Sequence, residues 1–195
     1  MPETTWLHRL TDESNQWLMA AKSDDSGRLA DATSYYLRDA TQCVKKNKMV
    51  QAALSCACAA TCLEKMGFHQ FADQLYAEAA SIHVDNAIRV IGVSIRERLW
   101  SLERAHIFFL MAHEVQCANE VSNRKQALER GDPFVDFEGT AAYSRTSVME
   151  TVSAPEGANE MDFSWISSAI TDFLTARRIQ TGKMRRLSTG RLVPR

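Results

Sequence analysis

Proline and glycine are scarce in this chain: four of one and eight of the other in 195 residues. Turn-rich β proteins draw heavily on both, so their scarcity points to helix. Long apolar runs are missing too. The longest spans residues 107–112, against the roughly 20 residues that a membrane-crossing helix needs. The first eleven residues already hold Glu3, His8 and Arg9, which is not the basic–apolar–small order of a secretory leader. The cysteines are few and odd in number, five, and three of them (Cys56, Cys58, Cys62) crowd together. That pattern argues against a secreted disulfide framework and for a cytoplasmic location. No glycine-rich phosphate loop, His-Glu-x-x-His pair or nucleophile elbow is present, so neither an enzyme nor a cofactor is expected.

The net charge of −1 conceals an uneven distribution. Residues 1–130 carry fifteen Lys and Arg against sixteen Asp and Glu. Residues 131–162 carry seven acids and one base, and residues 177–195 carry seven bases and no acid. The expected organisation is a helical array over 1–131, an acidic connector over 132–161, a helix over 162–181 that packs back, and a basic tail over 182–195. Residues 192–195, Leu-Val-Pro-Arg, read as the remnant of a thrombin-cleavable tag. Phe134, Val135, Phe137 and Tyr143 interrupt the connector's otherwise polar composition and are expected to pin parts of it to a surface.

Apolar residues at three- and four-residue spacing predict the helices. The first runs over 5–21 through Trp6, Leu10, Trp17 and Leu18, and the second over 28–46 through Leu29, Ala32, Tyr36, Leu37, Ala40, Cys43 and Val44. The third, 49–66, is small on one side, and Gly67 is placed as its left-handed cap. The fourth starts near Phe68, carries Phe71, Ala72, Leu75, Tyr76, Ala79 and Ile82, and fades near Gly92. Ser94 and Glu97 have the spacing of a capping box, in which each side chain satisfies the other's amide. No breaker follows until Gly131, which predicts one fifth helix of about 35 residues and about 50 Å. A last helix begins at Asp162 with Phe163, Ile166, Ile170, Phe173 and Leu174 on one face. Its expected dock is the far half of the fifth helix (Val115, Cys117, Val121, Leu128), on the same chain or on a second copy.

Ala60, Ala72 and Ala79 around Gly67, with Tyr76 between them, resemble the tetratricopeptide repeat over about 30 residues. The preceding pair of helices fits more loosely through Ala40, Cys43, Ala52, Cys56 and Ala59. The resemblance implies an all-α array of antiparallel helical hairpins, an α-solenoid of about six helices, that binds a protein or peptide along one face. Carried onto this chain, the lining residues are Ser34, Leu37, Thr41 and Lys45 on the second helix and Leu54, Thr61, Glu64 and Lys65 on the third. The lysine and asparagine that clamp a terminal carboxylate are replaced here by Ala57 and Thr61, so chaperone-tail binding is not implied. The expected function is a non-catalytic adaptor, monomer or homodimer.

Other patterns compete with that reading. Cys58 and Cys62 share a helix face, but neither a histidine nor a Cys-x-x-Cys pair accompanies them, so they read as packing residues and no metal is expected. Glu103 and His106 have the i, i+3 spacing of di-iron helical bundles, in a single copy where such sites need two. A helical metalloenzyme is therefore an alternative with little support. Arg185-Arg-Leu-Ser188 resembles a basophilic-kinase site, with Ser188 as acceptor. The wider basic run (Arg177, Arg178, Lys183, Arg185, Arg186) makes a nucleic-acid or ribonucleoprotein accessory the main alternative function.

Overall fold

The computed structural model describes residues 15–131 and 160–189, with side chains placed for 15–131 and 164–181. Among the described residues there are seven helices and no strand: α1 (Gln16–Asp25), α2 (Leu29–Lys45), α3 (Met49–Lys65), α4 (His69–Arg89), α5 (Ile95–Met111), α6 (Val115–Glu129) and α7 (Glu160–Thr189). Trp6 and Leu10, the connector residues Phe134, Val135, Phe137 and Tyr143, and residues 190–195 lie outside the described residues. So do the side chains of Phe163 and Ser188.

The short turns explain the antiparallel order of α1 to α6. At the end of α1, Gly27 takes φ +73° and its N–H reaches Asp24 O, while the N–H of Arg28 reaches Ser23 O. This paired bond satisfies two orphan carbonyls and reverses the chain in three residues. The same motif recurs at Asn47 (φ +58°) and at Gly67 (φ +82°), with Lys48 bonded to Cys43 O and Phe68 to Leu63 O. Positions 27, 47 and 67 are evenly spaced at 20 residues, so a helix pair takes about 40 residues, longer than the 34 of the tetratricopeptide unit.

The expected fifth helix is two helices. His113, at φ +58°, repeats the motif: its N–H bonds Leu110 O and that of Glu114 bonds Phe109 O. The left-handed conformation normally favours glycine or asparagine, which is why nothing in the sequence announced this break. Burial accounts for it. Folded back, α6 buries Ala118 and Val121 against Leu102, Ala105 and Phe109 of α5 in a second core cluster, and Cys117 and Leu128 pack at its edge. Of the stripe expected to need α7, α5 covers Val121 and part of Cys117 and Leu128, while Val115 stays 57% exposed.

Two further boundaries differ from expectation. α1 runs to Asp25 rather than 21, and α7 runs from Glu160 through Gly182 to Thr189 rather than stopping near 181. Lys, Met, Arg and Leu over 183–187 are good helix formers, and basic residues suit a helix C-terminus. The capping box at α5 is half formed. Ser94 Oγ accepts from Glu97 N at 3.1 Å, but Glu97 Oε1 accepts from Asn86 Nδ2 of α4.

α3 lies at the centre of the main core. Ala52, Ala53, Cys56, Ala59, Ala60, Cys62 and Leu63 are fully buried, and Met49 nearly so. The small side chains let its backbone approach α4 closely enough for Cys56 Sγ to donate to Leu75 O at 3.2 Å.

Candidate functional site

α7 packs along α2 and reaches α4. Ile166, Ile170, Phe173 and Leu174 enter the main core, spaced as one face of a helix. At its far end Arg177 is buried between two carboxylates of α4: Nε lies 3.8 Å from Glu78 Oε2, and Nη2 donates to Asp85. Ser81 Oγ accepts from the same nitrogen at 3.4 Å. Burial pushes the Glu78 carboxyl up, and the Arg177 guanidinium beside it opposes that shift. A hydrophobic stripe thus seats the helix, and a buried charge cluster fixes its register.

Beside this dock an open cleft of about 850 Å³ remains. α1 supplies Gln16. α2 supplies Asp31, Arg38, Thr41, Gln42 and Lys45, and α7 faces them with Ser164, Trp165, Ser168 and Asp172. Trp165 is half exposed, and the Arg38 guanidinium stands 5.0 Å from its ring centroid. The same guanidinium is 6.0 Å from the Tyr35 ring centroid. Arg38 is therefore within cation–π reach of two aromatic rings while its side chain stays open to solvent. The cleft combines one flat apolar surface, two cations, two carboxylates and several hydroxyl and amide groups. It carries no nucleophile–base pair.

The eight residues expected to line one groove do not come together. Thr41 and Lys45 line the cleft. Ser34 and Leu37 are buried, Leu37 completely, with Ser34 Oγ lacking a hydrogen-bond partner. None of the four α3 residues lines the cleft. Leu54 is half exposed. Thr61 Oγ1 is 2.9 Å from Tyr76 Oη, which donates to Glu64 Oε2 at 3.1 Å, and Lys65 pairs with Asp24 at 3.0 Å. Adjacent antiparallel helices turn their outer faces to different sides of the array, so positions equivalent by alignment are separated in space. Trp165 was missed. Its sequence signal is a large aromatic off the 166/170/173/174 stripe, where a buried face has no use for it.

The other chemical candidates have structural partners. Glu103 pairs with Lys125, which holds its carboxyl below the usual range, and His106 Nδ1 lies 2.9 Å from Ala118 O. Both therefore tie α6 to α5. Among the described residues no group of three or more His, Cys, Asp or Glu is placed to hold a metal ion. Burial pushes the Cys43 thiol up to about 11 and that of Cys62 to about 12, far from the thiolate that reaction or ligation requires.

A second feature lies between α4 and α5. Phe108 stacks between Tyr76 (6.4 Å) and His83 (5.7 Å), and Trp100 meets the His83 ring edge-on at 5.3 Å. His83 is almost wholly buried, and its Nδ1 has no hydrogen-bond partner. Burial lowers its pKa to about 4, with Arg104 adding to the shift, so the ring is neutral at physiological pH.

In comparisons with known proteins, no family model matches the chain, and no curated protein or solved structure matches it either.

Proposed function

We propose that this chain is a non-catalytic, cytoplasmic adaptor, with a tetratricopeptide-like way of working, that holds a segment of a protein partner in the cleft between α2 and α7. The observation that carries the reading is the Arg38–Trp165 pair at the cleft's centre. An exposed indole offers flat apolar surface at low entropic cost, and a stacked guanidinium beside it offers fixed donors for a carboxylate or a main-chain carbonyl. Thr41, Gln42, Ser164 and Ser168 add hydrogen-bonding groups along the walls, as an extended segment with mixed side chains requires. Five free cysteines suit a reducing compartment. Among the described residues no helix is long and apolar enough to cross a membrane. The adaptor needs one chain per partner, so it works as a monomer or within a homodimer. The nucleic-acid alternative is less favoured because Arg177, the first cation of the basic run, is engaged by Glu78 and Asp85.

A photo-crosslinking amino acid at Ser168 tests this in lysate of the source cell, with Leu54 as the comparison position. The expected result is a discrete protein adduct from position 168 that Trp165→Ala abolishes. Equal adducts from both positions, indifferent to Trp165→Ala, would overturn the reading.

A further inference from the structure

The array has two ends, and its topology sorts the charges between them. α2 and α4 run in the same direction, so the α2–α3 turn and the α4–α5 loop lie at one end. α7 runs alongside α2, with Trp165 against Arg38 and Gln180 Nε2 donating to Asn47 Oδ1 at 3.2 Å. Its backbone then continues as helix for nine residues past that contact. Lys46, Lys48, Arg89, Arg96 and Arg178 therefore gather at this end from four separate stretches of sequence, and all five are exposed. Two of the acids nearby are paired with cations, Asp85 with Arg177 and Glu129 with Lys125, while Glu97 accepts from the neutral Asn86 and is outnumbered by the five cations. A chain that is nearly neutral over residues 1–130 thus presents one basic face.

Aliphatic side chains protrude from the same face. Ile91, Val93 and Ile95 are 42%, 79% and 62% exposed. In an ordinary N-terminal cap the residue before the cap packs onto the fourth helical residue. Here the cap is Ser94 and the fourth residue is Arg98, so Val93 finds no apolar staple. Ile179 of α7 is also more than half exposed.

We propose that this end of the array docks on an anionic lipid bilayer, with Ile91, Val93 and Ile95 entering between headgroups and the five cations flanking them. Branched aliphatics ringed by Lys and Arg match the two attractions such a surface offers, apolar burial and charge. A nucleic-acid face would instead need aromatic platforms for base stacking; Ile91, Val93, Ile95 and Ile179 are aliphatic, and the partly exposed Trp100 of α5 is packed edge-on against His83. The docking is peripheral. It is separate from the cleft and does not depend on the partner-binding reading.

Flotation of the full chain with lipid vesicles tests the proposal, using phosphatidylserine and phosphatidylcholine in equal parts against phosphatidylcholine alone. The chain should float with the anionic vesicles only, and high salt should weaken the binding. The double variant Val93→Asp/Ile95→Asp should lose flotation. The triple variant Lys46→Glu/Lys48→Glu/Arg96→Glu should bind at least about a hundredfold more weakly, at about fivefold per cation. All substituted side chains are exposed, and matching circular dichroism would show that the fold is retained. Three results would overturn the proposal. One is failure of the wild-type chain to float. Another is tighter binding to a single-stranded oligonucleotide that ignores Val93→Asp/Ile95→Asp. The third is a lipid-free dimer broken by that same pair, which would assign the face to a second copy.

Discussion

Arg177 of α7 donates to Asp85 of α4 across ninety-two residues of chain, and with Glu78 on its other side it is the charge at the end of the helix dock. Its side chain is 4% exposed, so the cluster is screened little by solvent. Removing the cation leaves two carboxylates at least partly buried without compensation. Arg177→Met is expected to lower stability by about 3 kcal/mol and to raise hydrogen exchange along α7. Adding Glu78→Gln should restore part of the loss. A denaturation midpoint equal to wild type for Arg177→Met would show that the cluster does not hold the helix.

His83 makes stability depend on pH in a defined window. The folded ring stays neutral down to about 4, whereas the ordinary value of 6.5 applies when unfolded. Between those values the unfolded chain binds more protons, so stability is lost as pH falls from about 6.5 to about 4. The shift corresponds to about 3 kcal/mol across the window. Chemical denaturation of wild type and His83→Phe at neutral and acid pH isolates this contribution. The variant should lose less stability on acidification, and parallel curves would mean that His83 titrates normally in the fold.

The turn at His113 is the strained link between α5 and α6. A non-glycine residue in the left-handed region costs about 1–2 kcal/mol, and the His113 side chain, with Nε2 4.0 Å from Asp73 Oδ1, is largely exposed. His113→Gly should therefore raise the melting temperature, and His113→Val should lower it. If α5 and α6 were one continuous helix, glycine there would instead destabilise.

Ala72 of α4 is 1% exposed and belongs to the same core cluster as the fully buried Ala60 of α3. Ala72→Leu should overpack the crossing and cost about 1–3 kcal/mol. An unchanged melting temperature would mean that the two helices are not in close contact there.

These sites also show what the sequence could and could not reveal. Gly67 announced its turn because glycine reports left-handed backbone directly. His113 did not, because its conformation is imposed by the burial of Ala118 and Val121 some residues further on. The stripe of α7 was legible from its spacing, but its dock was not. A continuous fifth helix would have left the Val121 stripe bare, and the hidden turn removed that need. Thr41 and Lys45 fell in the cleft, while Thr61 and Glu64 fell in a separate network around Tyr76. Helical periodicity tells which face of a helix is outward, and only the assembled layers tell which outward faces meet. The basic end is illegible for the same reason, since Lys48, Arg89 and Arg178 are brought together by the fold alone.

The cleft between α2 and α7 is the proposed seat of the partner. Hydrogen exchange of the full chain, alone and with the protein captured by crosslinking at position 168, tests it most directly. Added protection is expected over residues 38–45 of α2 and 164–172 of α7, with the 54–65 stretch of α3 unchanged. Protection confined to α3 or α5, with the cleft walls unaffected, would contradict it.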